Sequence, residues 1–251
     1  MILPNPKDAI HKAQLLRVLT EIIDTTAISS YVFFKGGTCA GMLGYLDRFS
    51  IDLDFDYQKG VQKARLDKEL KKIFSRLELG VEKQSKELLY ILKYQAKDYQ
   101  RNSIKLSLVE NIYRYNVYRP DYLKEIDRYA NCQTIETMFS HKLVSLTDRY
   151  EKYKTIAGRD LYDIHHFFLQ GYRYSEKLIV ERTKKQLVKY LRELKDFIES
   201  KINNTVINED LNYLLPYERF KKIRKTLKKE TILLLNNEIE RIKGVKKLIK
   251  I

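Results

Sequence analysis

Two carboxylates, Asp52 and Asp54, stand two residues apart in the string Arg48-Phe49-Ser50-Ile51-Asp52-Leu53-Asp54-Phe55. Side chains of a strand alternate with period two, so both acids leave one face, roughly 6–7 Å apart along the backbone. Hard oxygens at that spacing suit Mg²⁺, which takes one or two carboxylates together with substrate phosphate oxygens. Such an ion activates an attacking hydroxyl and steadies a leaving pyrophosphate. Alone, the pattern also describes the wet face of an edge strand. Upstream, Lys35-Gly36-Gly37-Thr38 ends 14 residues before Asp52. A glycine pair lets the backbone approach a ligand and adopt positive φ. Thr38 offers a hydroxyl to a triphosphate, or caps the helix that follows. Lys35, Arg48 and Ser50 flank the pair of motifs. In combination they point to an enzyme that grips a nucleoside triphosphate and transfers part of it. Asp56 shares the face of Asp52 but lies roughly 13 Å of strand away, and is expected at the surface or behind the site.

These residues need elements to hold them. Residues 6–25 read as an amphipathic helix, with Leu15, Leu16, Val18, Leu19, Ile22 and Ile23 largely on one face. Tyr31 to Phe34 reads as a strand ending at Gly36-Gly37. A short helix over 38–45 begins where free N–H groups meet a phosphate. The spacing predicts a strand over 50–57, a helix over 61–79, and strands over 87–95 and 103–109. From about Cys132 the pattern turns helical, with helices over 135–150 and 159–169. From Ser175 helix follows helix, with breaks at 203–208 and at Leu215-Pro216. The expectation is an α/β (α+β) chain: a mixed sheet with flanking helices over 1–130, then a helical bundle over 131–251.

The chain has 251 residues, 44% hydrophobic and 32% charged, an ordinary balance for a folded soluble protein. No apolar run reaches the ~18–20 residues of a membrane span. The N-terminus has no basic patch followed by an apolar core, so no secretory signal is read. Two cysteines, Cys39 and Cys132, without such a signal suggest reduced thiols and a cytoplasmic setting. The net charge of +15 points to a polyanionic partner, since Lys and Arg release counterions from nucleic acid. Residues 173–251 carry 21 Lys and Arg against 11 Asp and Glu, an excess of 10.

The string Phe34-Lys35-Gly36-Gly37-Thr38, with Leu43, Arg48, Ser50 and Asp52-Leu53-Asp54-Phe55, resembles the AbiEii family of type IV toxin nucleotidyltransferases. A second block supports the resemblance: Thr134-Ile135-Glu136, then Lys142-Leu143, Leu146 and Arg149, then Arg159-Asp160-Leu161-Tyr162-Asp163. The two blocks span about residues 31–170. The resemblance implies a polymerase-β-type core followed by a helical domain, and a Mg²⁺-dependent reaction of a nucleoside triphosphate. Some family members add pyrimidine nucleotides to tRNA 3′ ends, and others form phage-defence pairs with a separately encoded antitoxin. By motif position Gly37 and Thr38 hold phosphate, Asp52 and Asp54 hold metal, Lys142 meets the triphosphate, and Asp160 is the essential acid of the last motif. The active site is then expected where the two parts join.

On their own chemistry, a lysine mid-helix among Leu143, Val144 and Leu146 needs an anionic partner if buried. Asp160 and Asp163 share a helix face and also suit the helix dipole. His165 and His166 read as structural. One position departs from the polymerase pattern. The third carboxylate, which takes the proton of the attacking hydroxyl, is expected on the strand Ile104-Lys105-Leu106-Ser107-Leu108, where Ser107 stands instead. Water, Glu110 after a bulge, or Asp160 would then replace it. The first reading is nucleotide transfer from NTP to an RNA 3′ end, in particular tRNA. The alternatives are transfer to a protein hydroxyl and a catalytically weak or silent module that binds nucleic acid or a partner.

Overall fold

The computed structural model describes residues 2–84 and 87–248, and the chain divides into two compact units. One comprises the N-terminal residues to Ile112 together with Asn116–Thr134. The other comprises Tyr113–Tyr115 and everything from Ile135. The first unit thus runs through Thr134 and keeps the whole of its last strand.

The first unit holds α1 (Ala9–Asp24), a single turn α2 (Thr26–Ser29), β1 (Val32–Lys35), α3 (Gly36–Met42), β2 (Asp52–Tyr57) and α4 (Lys63–Arg76). After these come β3 (Gly80–Gln84), β4 (Leu89–Lys93), β5 (Ser103–Glu110), β6 (Tyr118–Leu123) and β7 (Arg128–Gln133). The strands form one mixed sheet in the order β3-β4-β5-β2-β1-β7-β6. At its centre β2 pairs antiparallel with β1 and parallel with β5. The two faces of β2 have different chemistry because the sequence alternates. Leu53 and Phe55 point to one face and are buried, beside Leu106 and Leu108 of β5 and Phe34 of β1. The α1 stripe Leu15, Val18, Leu19 and Ile22 packs on the sheet, and the α4 stripe Leu66, Leu70, Ile73 and Phe74 packs against α1. Each such side chain contributes about 1.5–3 kcal/mol of burial, which fixes the register of β2. A one-residue slip would turn Asp52 and Asp54 into this apolar layer.

The expected strands and helices are present, with shifted ends. The short helix starts at Gly36, two residues before the expected Thr38, and α4 stops at Arg76, where Leu77 caps it and Glu78 turns left-handed at φ 55°. Three strands escaped the sequence reading: β3, and the β6–β7 hairpin. Strand β6 is Tyr-Arg-Pro-Asp-Tyr-Leu, mostly exposed at the sheet edge, which is where a proline is tolerated and where the apolar alternation fails.

The second unit is helical: α5 (Ile135–Tyr153), α6 (Gly158–Leu169), α7 (Glu176–Thr183), α8 (Leu187–Lys201), α9 (Asn204–Leu211), α10 (Tyr217–Ile223) and α11 (Leu227–Leu248). Its core is α6, in which residues 160–167 are all buried. The α8 stripe Leu187, Tyr190, Leu191, Leu194 and Ile198 packs against α11, which buries Thr231, Leu235, Ile239 and Ile242 at helical spacing. Gly158 lies so close to α9 that a Cβ would stand 2.5 Å from the Val206 carbonyl oxygen. The break expected over 203–208 is confined to Ile202-Asn203. Asn203 caps α9 by accepting from the Val206 N–H at 3.0 Å. The break at Leu215-Pro216 stands where expected, ahead of α10.

Candidate active site

Asp52 and Asp54 lie half-buried on the polar face of β2, two residues apart, as their spacing requires. The turn from β1 into α3 crosses directly beside them. Gly36 has φ +78°, and a Cβ there would stand 2.9 Å from Asp54 Oδ2 and 3.2 Å from Asp54 Cβ. The next residue is confined from the other side: a Cβ on Gly37 would meet Arg48 Nη2 at 2.8 Å and Ser50 Oγ at 3.0 Å. The two glycines therefore have separate reasons. Gly36 leaves room for a carboxylate, and Gly37 leaves room for a buried guanidinium.

Thr38, Arg48 and Ser50 are all buried. The Thr38 hydroxyl donates to the Asp52 carbonyl oxygen at 2.5 Å and lies 2.9 Å from Ser50 Oγ. It is thus committed to bracing α3 on β2. Arg48 Nη1 donates to the Phe49 carbonyl at 2.9 Å, which holds the guanidinium beneath Gly37. At the N-cap of α3, Lys35 supplies no side-chain hydrogen bond to the helix. Its amine instead pairs with Asp56 Oδ1 at 2.6 Å.

That pair decides between the two places expected for Asp56, surface or behind the site, in favour of the second. The residue is only 4% exposed. Besides Lys35 it accepts from the Tyr118 hydroxyl at 2.8 Å and from Gln133 Nε2 at 2.7 Å. Burial, then the Asp56 charge, pushes the Tyr118 hydroxyl far above its ordinary pKa, so it stays protonated and donating. Asp56 ties β1, β2 and the β6–β7 hairpin together one register step from Asp54. Its partners Tyr118 and Gln133 are far away in sequence and lie in strands whose pattern is weak, which is why the sequence reading left both places open.

His11, also missed, anchors the entry to β2. It is buried, its Nε2 lies 3.0 Å from the Ile51 carbonyl oxygen, and its Nδ1 lies 2.7 Å from the Tyr94 hydroxyl. The Ile51 carbonyl can only accept, so Nε2 carries a proton; in the neutral ring that burial favours, Nδ1 then accepts from the Tyr94 hydroxyl. Burial lowers its pKa to about 4. No motif signals this residue, because its partners are a backbone oxygen and a tyrosine far along the chain.

The neighbouring strand bears on the third carboxylate. In the parallel β2–β5 pair, Asp52 stands beside Lys105 and Asp54 beside Ser107, in unbroken register through Tyr57 and Glu110. Ser107 therefore shares the face of Asp54. Glu110 stands beside Tyr57 on the opposite face, with no bulge, and accepts from the Gly60 N–H at 3.1 Å. It does not replace the missing acid. Among the described residues no group of three or more His, Cys, Asp or Glu is placed to hold a metal. Two carboxylates on one face fit Mg²⁺, whose remaining positions are ordinarily filled by water and substrate phosphate.

In the second unit Lys142 and Asp160 come together. The Lys142 amine, on α5, lies 2.8 Å from Asp160 Oδ1 and 2.9 Å from Asp163 Oδ2, both on α6. Arg149 Nη2 lies 3.2 Å from Asp160 Oδ2. Both acids are buried and share the helix face that their spacing predicts. Burial alone would raise the Asp160 pKa. The charges of Lys142 and Arg149 outweigh it and hold the carboxyl well below its usual range. The anionic partners that a mid-helix lysine needs are thus already present in α6. Of the two histidines, His165 is bound through Nε2 to Glu230 at 2.7 Å, and His166 stacks near Tyr162.

Among the described residues no helix is long and apolar enough to cross a membrane. The profile of the AbiEii nucleotidyl transferase toxins of type IV toxin–antitoxin systems matches residues 17–235. No curated protein matches the chain in sequence. Among solved structures, JHP933 from Helicobacter pylori superposes with TM-score 0.57 at 20% identity, over 98% of this chain and 99% of that one. A second H. pylori protein, assigned as a nucleotidyltransferase, superposes with TM-score 0.61 at 18% identity, over 96% and 98%. An antigenic nucleotidyltransferase-like protein from Paracoccidioides brasiliensis gives 0.50 at 12%, over 82% and 94%. These likenesses are of fold. The family match covers most of the chain and includes the Gly-Gly turn, the paired acids and the Lys142–Asp160 block: the protein belongs to the AbiEii family of type IV toxin nucleotidyltransferases and is a nucleotidyltransferase.

Proposed function

We propose that the enzyme transfers a nucleotide from a nucleoside triphosphate to the 3′ end of an RNA, in particular tRNA, in a Mg²⁺-dependent reaction, and that a separately encoded antitoxin restrains it. The observation that supports the reading is the fit of Gly36 against Asp54, which sets the glycine turn against one of the paired carboxylates. Asp52 and Asp54 are the residues to hold Mg²⁺, which when bound polarises the attacking hydroxyl and neutralises charge on the triphosphate. The N–H groups at the start of α3 are left uncapped by Lys35 and suit phosphate oxygens. Arg48, fixed under Gly37, adds positive charge to that turn. Thr38 and Ser50 keep α3 on the strand that carries the acids, and Lys35 does the same through Asp56. Lys142 is the triphosphate ligand that the family motif implies, with its amine preset by Asp160 and Asp163. With serine at 107, the proton of the attacking hydroxyl leaves to water.

The basic balance of the chain supports RNA as acceptor, and residues 219–229 are its densest stretch. The test is incubation of the purified protein with each labelled NTP, Mg²⁺ and total RNA. Label on an RNA of tRNA size, lost on chelation with EDTA, is the expected result. Label on protein, or on neither, refutes the acceptor assignment.

A further inference from the structure

We infer that the second unit has a seat for one backbone phosphate of the RNA, in the cleft between α9 and the end of α10. The inference rests on RNA being the acceptor. The cleft, about 280 Å³, is lined by Asn204, Asn208, Arg224 and Lys225. Asn204 and Asn208 are one turn apart and share a face of α9. Arg224 and Lys225 follow α10 directly. The lining is two carboxamides and two cations, with no carboxylate. That set provides N–H donors and positive charge and nothing to repel an anion.

Two further observations mark the cleft as more than a stretch of basic surface. Arg224 is oriented: its guanidinium carbon lies 5.5 Å over the centre of the Phe220 ring, a cation–π contact that holds the head group. No ion pair is formed by Arg224 or Lys225 among the described residues, whereas the neighbouring Lys228 spends its amine on the Glu199 and Ile202 carbonyls. A phosphodiester accepts from the Nδ2 groups of Asn204 and Asn208 and from the fork of Arg224, while Lys225 adds charge.

The test separates a built seat from diffuse charge by comparing charged with neutral substitutions. End-labelled bulk tRNA is titrated with the full chain over a range of salt. The pair Arg224→Gln/Lys225→Gln is expected to weaken binding about tenfold and to flatten the log–log salt slope by about 1. Asn204→Ala/Asn208→Ala removes no charge and places a good helix former in α9, leaving the cap Asn203 untouched. It is expected to weaken binding about fivefold with the salt slope unchanged and the melting temperature within a few degrees of wild type. If the asparagine pair binds tRNA like wild type while the charged pair is weakened, the cleft is no seat and the inference falls. If wild type binds no tRNA, the acceptor assignment falls with it. Inorganic phosphate titrated against the Arg224 Nε NMR signal then identifies what remains: a shift shows a cleft for free phosphate rather than RNA, and no shift shows no anion site at all.

Discussion

Gly36→Ala tests the geometry that joins the turn to the strand that carries Asp52 and Asp54. The substitution has two separable costs. A left-handed φ of +78° costs an alanine about 1–2 kcal/mol. The added carbon would also sit 2.9 Å from Asp54 Oδ2 and 3.2 Å from Asp54 Cβ. Ordinary contact begins near 3.4 Å, so Asp54 must move by several tenths of an ångström, or the turn must. Displacement on that scale at a reacting centre costs up to about 10²-fold in rate. Gly60 provides the control: its φ is +87°, and nothing lies within 4 Å of a Cβ built there. Gly60→Ala therefore bears the backbone cost without the collision. The assay measures incorporation of labelled nucleotide against Mg²⁺ concentration, alongside urea unfolding of both variants. Similar losses of stability of about 1–2 kcal/mol are expected, with transfer reduced about 100-fold only in Gly36→Ala and the Mg²⁺ half-saturation raised. If the two alanine variants transfer equally well, the packing of Gly36 on Asp54 has no part in catalysis.

Asp52→Ala and Asp54→Ala should each abolish transfer and remove Mg²⁺-dependent NTP binding, with circular dichroism unchanged; near-normal turnover in either overturns the metal assignment. Ser107→Asp places a third carboxylate in register with Asp54 and should tighten Mg²⁺, read by calorimetry; an unchanged affinity removes Ser107 from the site. Lys142→Ala leaves Asp160 and Asp163 buried beside a missing cation, so it should cost about 3–5 kcal/mol of stability and also weaken NTP binding. Retained stability would mean that Lys142 is not what compensates the two buried acids. For His11 the folded pKa, about 4, lies below the ordinary 6.5, so protonation favours the unfolded chain. Its contribution is complete above pH 6.5 and declines as pH falls toward 4, by about 3 kcal/mol in all. The wild-type stability minus that of His11→Asn, from urea titrations at pH 7 and pH 4.5, should shrink accordingly; a pH-independent difference refutes the neutral ring.

Much of the fold was legible because its central elements are one-sided. Strand β2 alternates Asp with Leu, Asp and Phe, and only one register keeps Leu53 and Phe55 in the apolar layer. The α1 stripe announces itself the same way. The missed strands lack that contrast. In β6 the pattern Tyr-Arg-Pro-Asp-Tyr-Leu buries only Leu123, so the segment becomes a strand through its partner β7 rather than through its own periodicity. Helix boundaries shifted for a local reason: Gly36 takes a left-handed φ yet opens α3, a conformation that a propensity argument does not anticipate.

For the site, the sequence revealed the residue types that do chemistry and hid the ones that aim them. Gly36, Gly37, Asp52 and Asp54 stand out because their spacing is local. Lys142 and Asp160 stand out only through the family resemblance, which places a mid-helix lysine ahead of an Arg-Asp-x-x-Asp block. The supporting residues act across long separations: Gln133 reaches Asp56, Tyr94 reaches His11, and His11 reaches the carbonyl just before Asp52. Thr38 shows how a residue can sit in a motif for one reason and serve another. Its position next to the glycine pair suggests a phosphate ligand, yet its hydroxyl is buried on the Asp52 carbonyl, so it holds the backbone that carries the Asp52 carboxylate. A Thr38→Ser substitution keeps that hydroxyl, whereas Thr38→Val keeps the shape and leaves the Asp52 carbonyl and Ser50 without it, a loss of about 1–3 kcal/mol. Because the bond acts on the backbone of the strand that carries Asp52 and Asp54, on the proposed metal role of these acids its loss should appear as weakened Mg²⁺ dependence in Thr38→Val and not in Thr38→Ser. Equal Mg²⁺ dependence in the two variants would return Thr38 to the role of direct phosphate ligand or plain packing.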